Sequence, residues 1–235
     1  IDIHKLINLG ALQNIGSKVV PSIGGILLFG INKEDILPDA RIKCARFKGT
    51  NSTEFLDNLE TGSGLINAVD EVIEFIRRHT RQGLEIGATS HKVIPEYPEI
   101  ALREAVINAI VHADYAIKGM SIRVGIYDDR IEISNPGSLP FGISMENIFS
   151  GISKLRNRVI GRVFHELRLI EQWGTGISRI KETCHIANLP EPRFEELGTS
   201  FRVTLYSGST PRVSQRSWEL KLVEYLQIHK EISSK

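Results

Sequence analysis

The stretch that decides the fold is "LREAVINAIVHADY", which runs from Leu102 to Tyr115. As a helix it is apolar on nearly every side, and only Glu104, Asn108 and His112 form a polar row, four residues apart. At 3.6 residues per turn these three side chains share one face. Asparagine has poor helix propensity in mid-helix. The row is therefore either a thin stripe facing solvent or the lining of a polar site.

A metal-bound phosphate is one reason for such a row. The Glu104 carboxylate lies one turn before the Asn108 carboxamide, so it can polarise a water molecule while the amide oxygen ligates Mg²⁺. Magnesium accepts hard oxygen ligands and keeps several waters and phosphate oxygens. From the residues alone, the solvent-facing stripe and the magnesium site both stay open.

Composition excludes several classes of protein. The chain has 235 residues, is 41% hydrophobic, and carries a formal charge of +1, so no global basic excess indicates nucleic acid. Cys44 and Cys184 show no zinc spacing, and neither a zinc site nor a disulfide framework is expected, which suits a cytoplasmic protein. The apolar run "VVPSIGGILLFGI" is too broken to span a bilayer, so no membrane contact is expected.

The pattern along the chain predicts an α/β sandwich rather than βαβ repeats. "GGILLFG" and "ARIKCARFKG" are interpreted as short buried strands, and residues 84–94 as one further strand. A helix is predicted over 99–113, followed by a β-hairpin around Asp128 and Asp129. Two more helices, one after a glycine turn, and a closing strand "TSFRVTLY" follow.

Two turns are candidates for ligand contacts. In "EISNPG", Asn135 stands at a strand end, where its amide could contact the edge of a purine, and an ordinary Asn-Pro-Gly turn is the alternative. In "WGTGI", Gly174 and Gly176 precede a helix whose free amides favour phosphate, and a plain loop is the alternative. P-loop, HExxH and GxSxG motifs are absent, so neither a P-loop ATPase nor a helicase motor is encoded.

In order along the chain, "EAVIN", "EISNPG", "WGTGI" and "GTSFRVTLY" resemble the nucleotide-binding boxes of the GHKL, or Bergerat-fold, ATPases, including the histidine kinases. The resemblance covers about residues 99–206 and further implies a mixed, mostly antiparallel sheet with helices on one face. The chain resembles a RecG-related group of transcriptional regulators still more closely. In that group a Schlafen/AlbA-like domain precedes the ATPase-like domain and a DNA-binding winged helix follows it.

The resemblance implies ATP and Mg²⁺ as cofactors. Glu104 would be the catalytic base that activates water, and Asn108 would be the Mg²⁺ ligand. His112 completes the polar row, and Arg156, with Asn157, lies in the segment that would form the nucleotide lid. The remaining binding residues implied for adenine and phosphate are Asn135, Gly137, Gly174, Thr175 and Gly176.

The sequence also departs from the family pattern. GHKL proteins usually have Asp where Asn135 stands, and a neutral amide forms a weaker bond to the adenine amine than a carboxylate does. The second glycine of that box is absent, and Ser178 occupies a position where glycine is frequent. Lys154, Arg158 and Arg162 could contact phosphate or form a solvated helix face.

The domain prediction follows the resemblance. Residues 1–49 are assigned to the end of a Schlafen/AlbA-like domain and 50–206 to the ATPase-like domain, with a helical lead-in over 62–80. Residues 207–216 are assigned to a linker and 217–235 to the start of a winged helix. The leading functional hypothesis is an ATP-binding regulatory domain of a DNA-binding transcriptional regulator. An active ATPase and a scaffold that dimerises without a ligand are the alternatives.

Overall fold

The computed structural model describes residues 2–62, 64–86, 91–170 and 174–208. The predicted start of a winged helix at 217–235 and nearly all of the predicted linker lie outside these residues. Within the described part, no helix is long and apolar enough to cross a membrane.

Seven α-helices and ten strands make up the described chain. The helices are α1 (Ile3–Leu9), α2 (Ile23–Phe29), α3 (Leu65–His79), α4 (Glu99–His112), α5 (Met145–Phe149), α6 (Arg158–Glu166) and α7 (Gly176–Ile186). The strands are β1 (Leu12–Ile15), β2 (Lys18–Pro21), β3 (Ile42–Phe47), β4 (Phe55–Glu60), β5 (Gln82–Ile86), β6 (His91–Pro95), β7 (Ile122–Ile126), β8 (Arg130–Pro136), β9 (Arg193–Leu197) and β10 (Ser200–Tyr206). This content confirms the predicted α/β sandwich.

A six-stranded sheet in the order β4-β3-β7-β8-β10-β9 forms the centre of the fold. Every neighbouring pair is antiparallel except β3 and β7, which run parallel with Ile42 opposite Ile122. The predicted hairpin is confirmed as β7 and β8. Because side chains alternate between faces, Ile122, Val124 and Ile126 are buried while Arg123 is exposed.

Helix α4 is the central helix. It contacts α3, α7 and β8, which explains why it is apolar on most sides. Eight of its apolar side chains are buried: Ala101, Leu102, Ala105, Val106, Ile107, Ala109, Ile110 and Val111. The predicted helix over 99–113 is thus confirmed to within one residue.

Two strand predictions were wrong. The segment "GGILLF" is helix α2, capped by the Ser22 hydroxyl, which accepts from the Gly25 amide. Its glycines allow close packing rather than a turn, since a Cβ on Gly25 would lie 2.0 Å from the Ala11 carbonyl oxygen. The single strand predicted over 84–94 is instead a pair, β5 and β6, which form their own two-stranded antiparallel sheet.

The sheet also crosses the predicted domain boundary at Gly49. Strand β3, assigned from the sequence to a preceding domain, pairs with β7 of the ATPase-like region. Ile42 and Cys44 of β3, together with Leu27 and Leu28 of α2, belong to the same hydrophobic core as α4. The first 49 residues therefore contribute strand and core to the sheet that carries α4.

Candidate functional site

A cavity of about 560 Å³ lies between α4, the end of β8, α6 and the turn before α7. The segment of residues 138–157, named here the covering segment, forms the rest of its wall together with side chains of β9 and β10. Eight of the nine residues implied by the resemblance line this one cavity: Glu104, Asn108, His112, Asn135, Gly137, Gly174, Thr175 and Gly176. Residues from three separate parts of the chain are thereby brought together.

The polar row of α4 faces the cavity. Glu104 is buried with 9% exposure, and Asn108 and His112 are half-buried. The Asn108 amide nitrogen lies 3.4 Å from Glu104 Oε1, to which it donates. This geometry leaves the Asn108 carbonyl oxygen available as a ligand. The row is therefore the lining of a polar site and not a stripe in bulk solvent.

The glycine turn before α7 lies directly against Glu104. Gly174 has φ +66°, a left-handed conformation that favours glycine. A Cβ on Gly176 would lie 2.3 Å from Glu104 Oε1 and 3.1 Å from Asn108 Nδ2, so a larger residue here would displace both side chains. Thr175, which caps α7, makes no side-chain cap hydrogen bond, so its hydroxyl does not occupy the helix amides. The first turn of α7 thus presents backbone amides beside the candidate base.

Arg179 is a site residue that the sequence analysis missed. Its Nη1 lies 3.6 Å from Glu104 Oε2, and its side chain lines the cavity. The signal that could have identified it is its position one helical turn after Gly176, on the face that carries the glycine turn. The guanidinium places a positive charge next to the carboxylate.

Asn135 and Gly137 form the other end of the cavity. Asn135 is 5% exposed, and its Nδ2 donates to the Pro136 carbonyl at 3.0 Å. Its Oδ1 accepts no hydrogen bond from the described residues, so an acceptor is left for a ligand. Gly137 has φ +93°, and a Cβ there would lie 2.8 Å from the Asp114 Cβ. This close approach joins the end of β8 to the end of α4.

Arg156 is not among the residues that line the cavity. Its Nη1 lies 3.1 Å from Asp114 Oδ2, and its Nη2 donates to the Ser138 carbonyl. The neighbouring Asn157 side chain donates to the carbonyls of Val111 and Ala113, at 3.0 and 2.7 Å. The pair therefore ties both ends of the covering segment to the end of α4. In this geometry Arg156 acts on the wall of the site instead of on a phosphate.

His112 is uncharged at neutral pH. Burial lowers its pKa from 6.5 to about 4, and the nearby Arg156 guanidinium adds to the effect by repulsion. The imidazole consequently adds no positive charge to the cavity.

The permanent charges around the cavity are mainly positive. Lys154, Arg158, Arg162 and Arg179 are cations, whereas Glu104 is the only carboxylate among the lining residues of the described chain. Arg179 already pairs with Glu104, so three cations remain for a ligand. The arrangement is suited to a molecule that carries several negative charges.

The covering segment supplies an apolar wall of Ile143, Ile148, Ile152 and Leu155. It also contacts the glycine turn, because a Cβ on Gly174 would lie 2.1 Å from the Gly151 carbonyl oxygen. The cavity therefore has a polar, cationic part and an apolar part, as expected for a ligand with a ring system and a charged tail.

No group of three or more His, Cys, Asp or Glu side chains that could hold a metal occurs among the described residues. A metal ion in this cavity would be held by one protein ligand together with oxygens of the bound molecule and water. Magnesium tolerates such a site because it retains waters and phosphate oxygens. Asn108, with its carbonyl oxygen available, fits this requirement.

Residues 119–205 match the family described as "Putative ATP-dependent DNA helicase recG C-terminal". The match covers less than half of the chain. It includes Asn135, Gly137 and the glycine turn but begins after α4, so Glu104 and Asn108 lie outside it. The chain has no match among curated proteins.

The fold is similar to that of the DIP2311 protein from Corynebacterium diphtheriae. The similarity has a TM-score of 0.72 at 23% sequence identity and covers 95% of this chain but 47% of that protein. The chain thus spans about half the length of this structural relative. At this identity the likeness concerns the fold alone. Together with the family match, the geometry supports the coarser conclusion that residues 119–205 are part of an ATPase-like domain related to the RecG C-terminal family.

Proposed function

We propose that residues 99–206 bind Mg²⁺-ATP and that nucleotide occupancy regulates DNA-contacting domains of a cytoplasmic transcriptional regulator. The main support for the proposal is that the predicted site residues line one cavity. The carboxylate and carboxamide of α4 line the same 560 Å³ space as Asn135, Gly137 and the glycine turn. Chance placement of four weak motifs would not be expected to bring them to one site.

The charges favour a phosphorylated ligand. Lys154, Arg158 and Arg162 surround the cavity, and the amides at the start of α7 face Glu104 and Asn108. Helix amides and cationic side chains both stabilise phosphate oxygens. Since Glu104 would repel a bare phosphate at this place, a divalent cation between them would favour binding. Bound Mg²⁺ would neutralise phosphate charge, with Asn108 as its protein ligand.

Asn135 would contact the adenine ring. Its Nδ2 is engaged by the Pro136 carbonyl at 3.0 Å, which orients the amide and leaves Oδ1 to accept from an amino group. Gly137 would lie beside the ring, and the apolar side chains of the covering segment would pack against it. A neutral acceptor gives a weaker bond than the usual carboxylate, so modest affinity is expected.

Hydrolysis is the second candidate function. It is favoured by the burial of Glu104 beside Gly176, where a carboxylate could accept a proton from an attacking water. Arg179, 3.6 Å from the same carboxylate, would hold it in position. In this hypothesis Glu104→Gln removes phosphate release and retains nucleotide binding.

The binding proposal is tested by titration calorimetry of ATP into the chain, with Mg²⁺ and with EDTA. We expect saturable binding with Mg²⁺ and its loss in Asn108→Ala, because the only protein ligand of the metal is removed. Asn67→Ala, at an exposed position of α3, is the matched control and should bind as the unmodified chain does. Absence of binding by the unmodified chain at millimolar Mg²⁺-ATP would contradict the proposal and leave the dimerising scaffold as the remaining interpretation.

The regulatory part of the proposal concerns the whole protein, including the winged helix implied by the resemblance. It is tested on the full-length protein by comparing DNA affinity with and without a non-hydrolysable ATP analogue. Equal affinities would restrict the proposal to nucleotide binding.

A further inference from the structure

We infer that Arg158 and Arg162 make this cavity select nucleoside triphosphates over diphosphates. The inference rests on the proposed function and deepens it, since it names the residues that would read the length of the phosphate chain. Neither residue belongs to the four motifs, and the sequence left open whether they form a solvated helix face. Their placement in the structure carries the inference.

Arg158 and Arg162 lie on one face of α6. The opposite face of this helix is buried through Ile160, Val163 and Phe164. With His165, the two arginines form a row at spacings of four and three residues that lines the cavity. At 1.5 Å per residue, the row extends over roughly 10 Å. This length allows contact with more than one phosphate group.

Both arginine side chains are solvent-exposed, and Arg162 Nη1 lies 3.5 Å from where a Cβ on Gly10 would be. Among the described residues, neither Arg158 nor Arg162 makes an ion pair or a side-chain hydrogen bond. Several other arginines of the chain are engaged; Arg130, for example, contacts Asp129 and Glu132 at 2.8 and 2.7 Å. An arginine that lines a cavity with all five donors unused is available for a bidentate contact to phosphate.

The covering segment brings a third cation to the glycine turn. A Cβ on Gly174 would lie 3.4 Å from the Cβ of Ser153, and Lys154 is the next residue. Lys154 donates to the Phe141 carbonyl at 3.2 Å, which fixes it within the same segment. Phosphates bound at the glycine turn would consequently lie near Lys154. The α6 arginines would contact the remaining phosphate groups of the ligand.

The number of phosphate groups on the ligand affects binding through charge. Glu104 opposes any phosphate at the α7 turn, and Mg²⁺ compensates for part of this repulsion. Each additional phosphate adds about one negative charge, which the Arg158 and Arg162 guanidinium groups can compensate. Removing Arg158 and Arg162 should therefore weaken ATP more than ADP and should leave AMP nearly unaffected. If the two arginines only formed a solvated helix face, their removal would not weaken the binding of the three nucleotides in this order.

The test is titration calorimetry of ATP, ADP and AMP with Mg²⁺ into the complete chain and its variants. In Arg158→Gln/Arg162→Gln we expect ATP affinity to fall at least 30-fold and the ATP-to-ADP affinity ratio to fall at least tenfold. Arg158→Lys/Arg162→Lys keeps the charge and should restore part of the ratio. Arg123→Gln is the control, because it removes one arginine charge at an exposed position of β7 that does not line the cavity.

The outcomes separate this inference from the proposed function. If the unmodified chain binds none of the three nucleotides, both fail. If it binds them and the Gln pair leaves the ATP-to-ADP ratio unchanged, only the role of the arginines fails. An equal loss for all three ligands would also overturn it, since the arginines would then not distinguish phosphate number. Thermal unfolding of each variant, expected to match the unmodified chain, excludes loss of fold as the cause.

Discussion

At the scale of single residues, His112 shows how burial determines the chemistry of a side chain. Its position on the α4 row follows from the sequence, but its charge follows from packing. Burial, with repulsion from Arg156, lowers its pKa to about 4, so the folded state holds a neutral imidazole. The unfolded chain binds a proton at this residue near pH 6.5. Stability therefore depends on pH through His112.

We expect the stabilisation from neutral His112 to be complete above pH 6.5 and to be lost as the pH falls toward 4. In this interval the unfolded state binds more protons, so acidification favours unfolding. Between pH 7 and pH 5, His112 should account for about 2 kcal/mol of lost free energy of unfolding. His112→Gln should remove this part of the pH dependence, measured by urea denaturation at several pH values.

The exposed His185 serves as the control for this measurement. His185→Gln replaces a histidine that does not line the cavity and is measured at the same pH values for comparison. If His112→Gln retains the full loss of stability between pH 7 and pH 5, the imidazole is not the group that titrates.

The sequence predicted much of the site because helical spacing alone places Glu104, Asn108 and His112 on one face. It could not determine whether that face meets solvent or a cavity, since this depends on α6, α7 and the covering segment. For the same reason the sequence could not distinguish Arg156 from Arg158. They are two residues apart, yet one pairs with Asp114 and the other lines the cavity.

At the scale of elements, the glycine at the first position of α7 lets this helix lie directly against the Glu104 and Asn108 side chains of α4. A Cβ at Gly176 would meet Glu104 Oε1 at 2.3 Å, and both side-chain neighbours, Glu104 and Asn108, end in flexible groups that can move. An added Cβ would therefore cost little free energy of folding, but it would displace the Glu104 carboxylate and the Asn108 carboxamide.

We expect Gly176→Ala to weaken Mg²⁺-ATP binding at least tenfold, about 1.4 kcal/mol, while the thermal midpoint changes little. Alanine improves helix propensity by about 1 kcal/mol relative to glycine, which offsets the displacement of the two side chains. Calorimetry and thermal unfolding measure the two effects. Gly62→Ala is the control, because a Cβ there meets nothing within 4 Å. Unchanged nucleotide affinity in Gly176→Ala would contradict the role assigned to this contact.

Element prediction succeeded where the pattern was long and failed where it was short. The fourteen residues of α4 and the alternation of β7 and β8 left little ambiguity. The seven residues of α2 are almost entirely apolar, and such a run fits a buried strand or a buried helix equally. Strand β9 was missed because Phe194 is its only buried residue.

At the scale of the whole molecule, the sheet unites residues that the sequence assigned to two domains. Strand β3 lies between β4 and β7, so a fragment that begins at the predicted boundary would leave β4 without its neighbour and β7 without its parallel partner. The structural similarity to DIP2311 likewise covers 95% of the chain and thus extends before residue 50.

We expect a fragment of residues 50–208 to show no cooperative thermal unfolding by circular dichroism, because Ile42, Cys44 and Phe47 would be missing from the core. A fragment of residues 2–208 keeps β3 and α2 and should unfold cooperatively. A cooperative transition of the shorter fragment at the same temperature would show that the predicted boundary is a true folding boundary.

The one parallel pair in the sheet also affects how the chain is made. Ile42 pairs with Ile122, which is synthesised 80 residues later. At about 5–20 residues per second, roughly 4–16 s pass between the synthesis of β3 and that of its parallel partner β7. During this interval β4 is its only sheet neighbour, and the apolar side chains of Ile42 and Cys44 lack their final cover. We therefore expect these exposed apolar side chains to favour aggregation of nascent chains between the translation of β4 and that of β7.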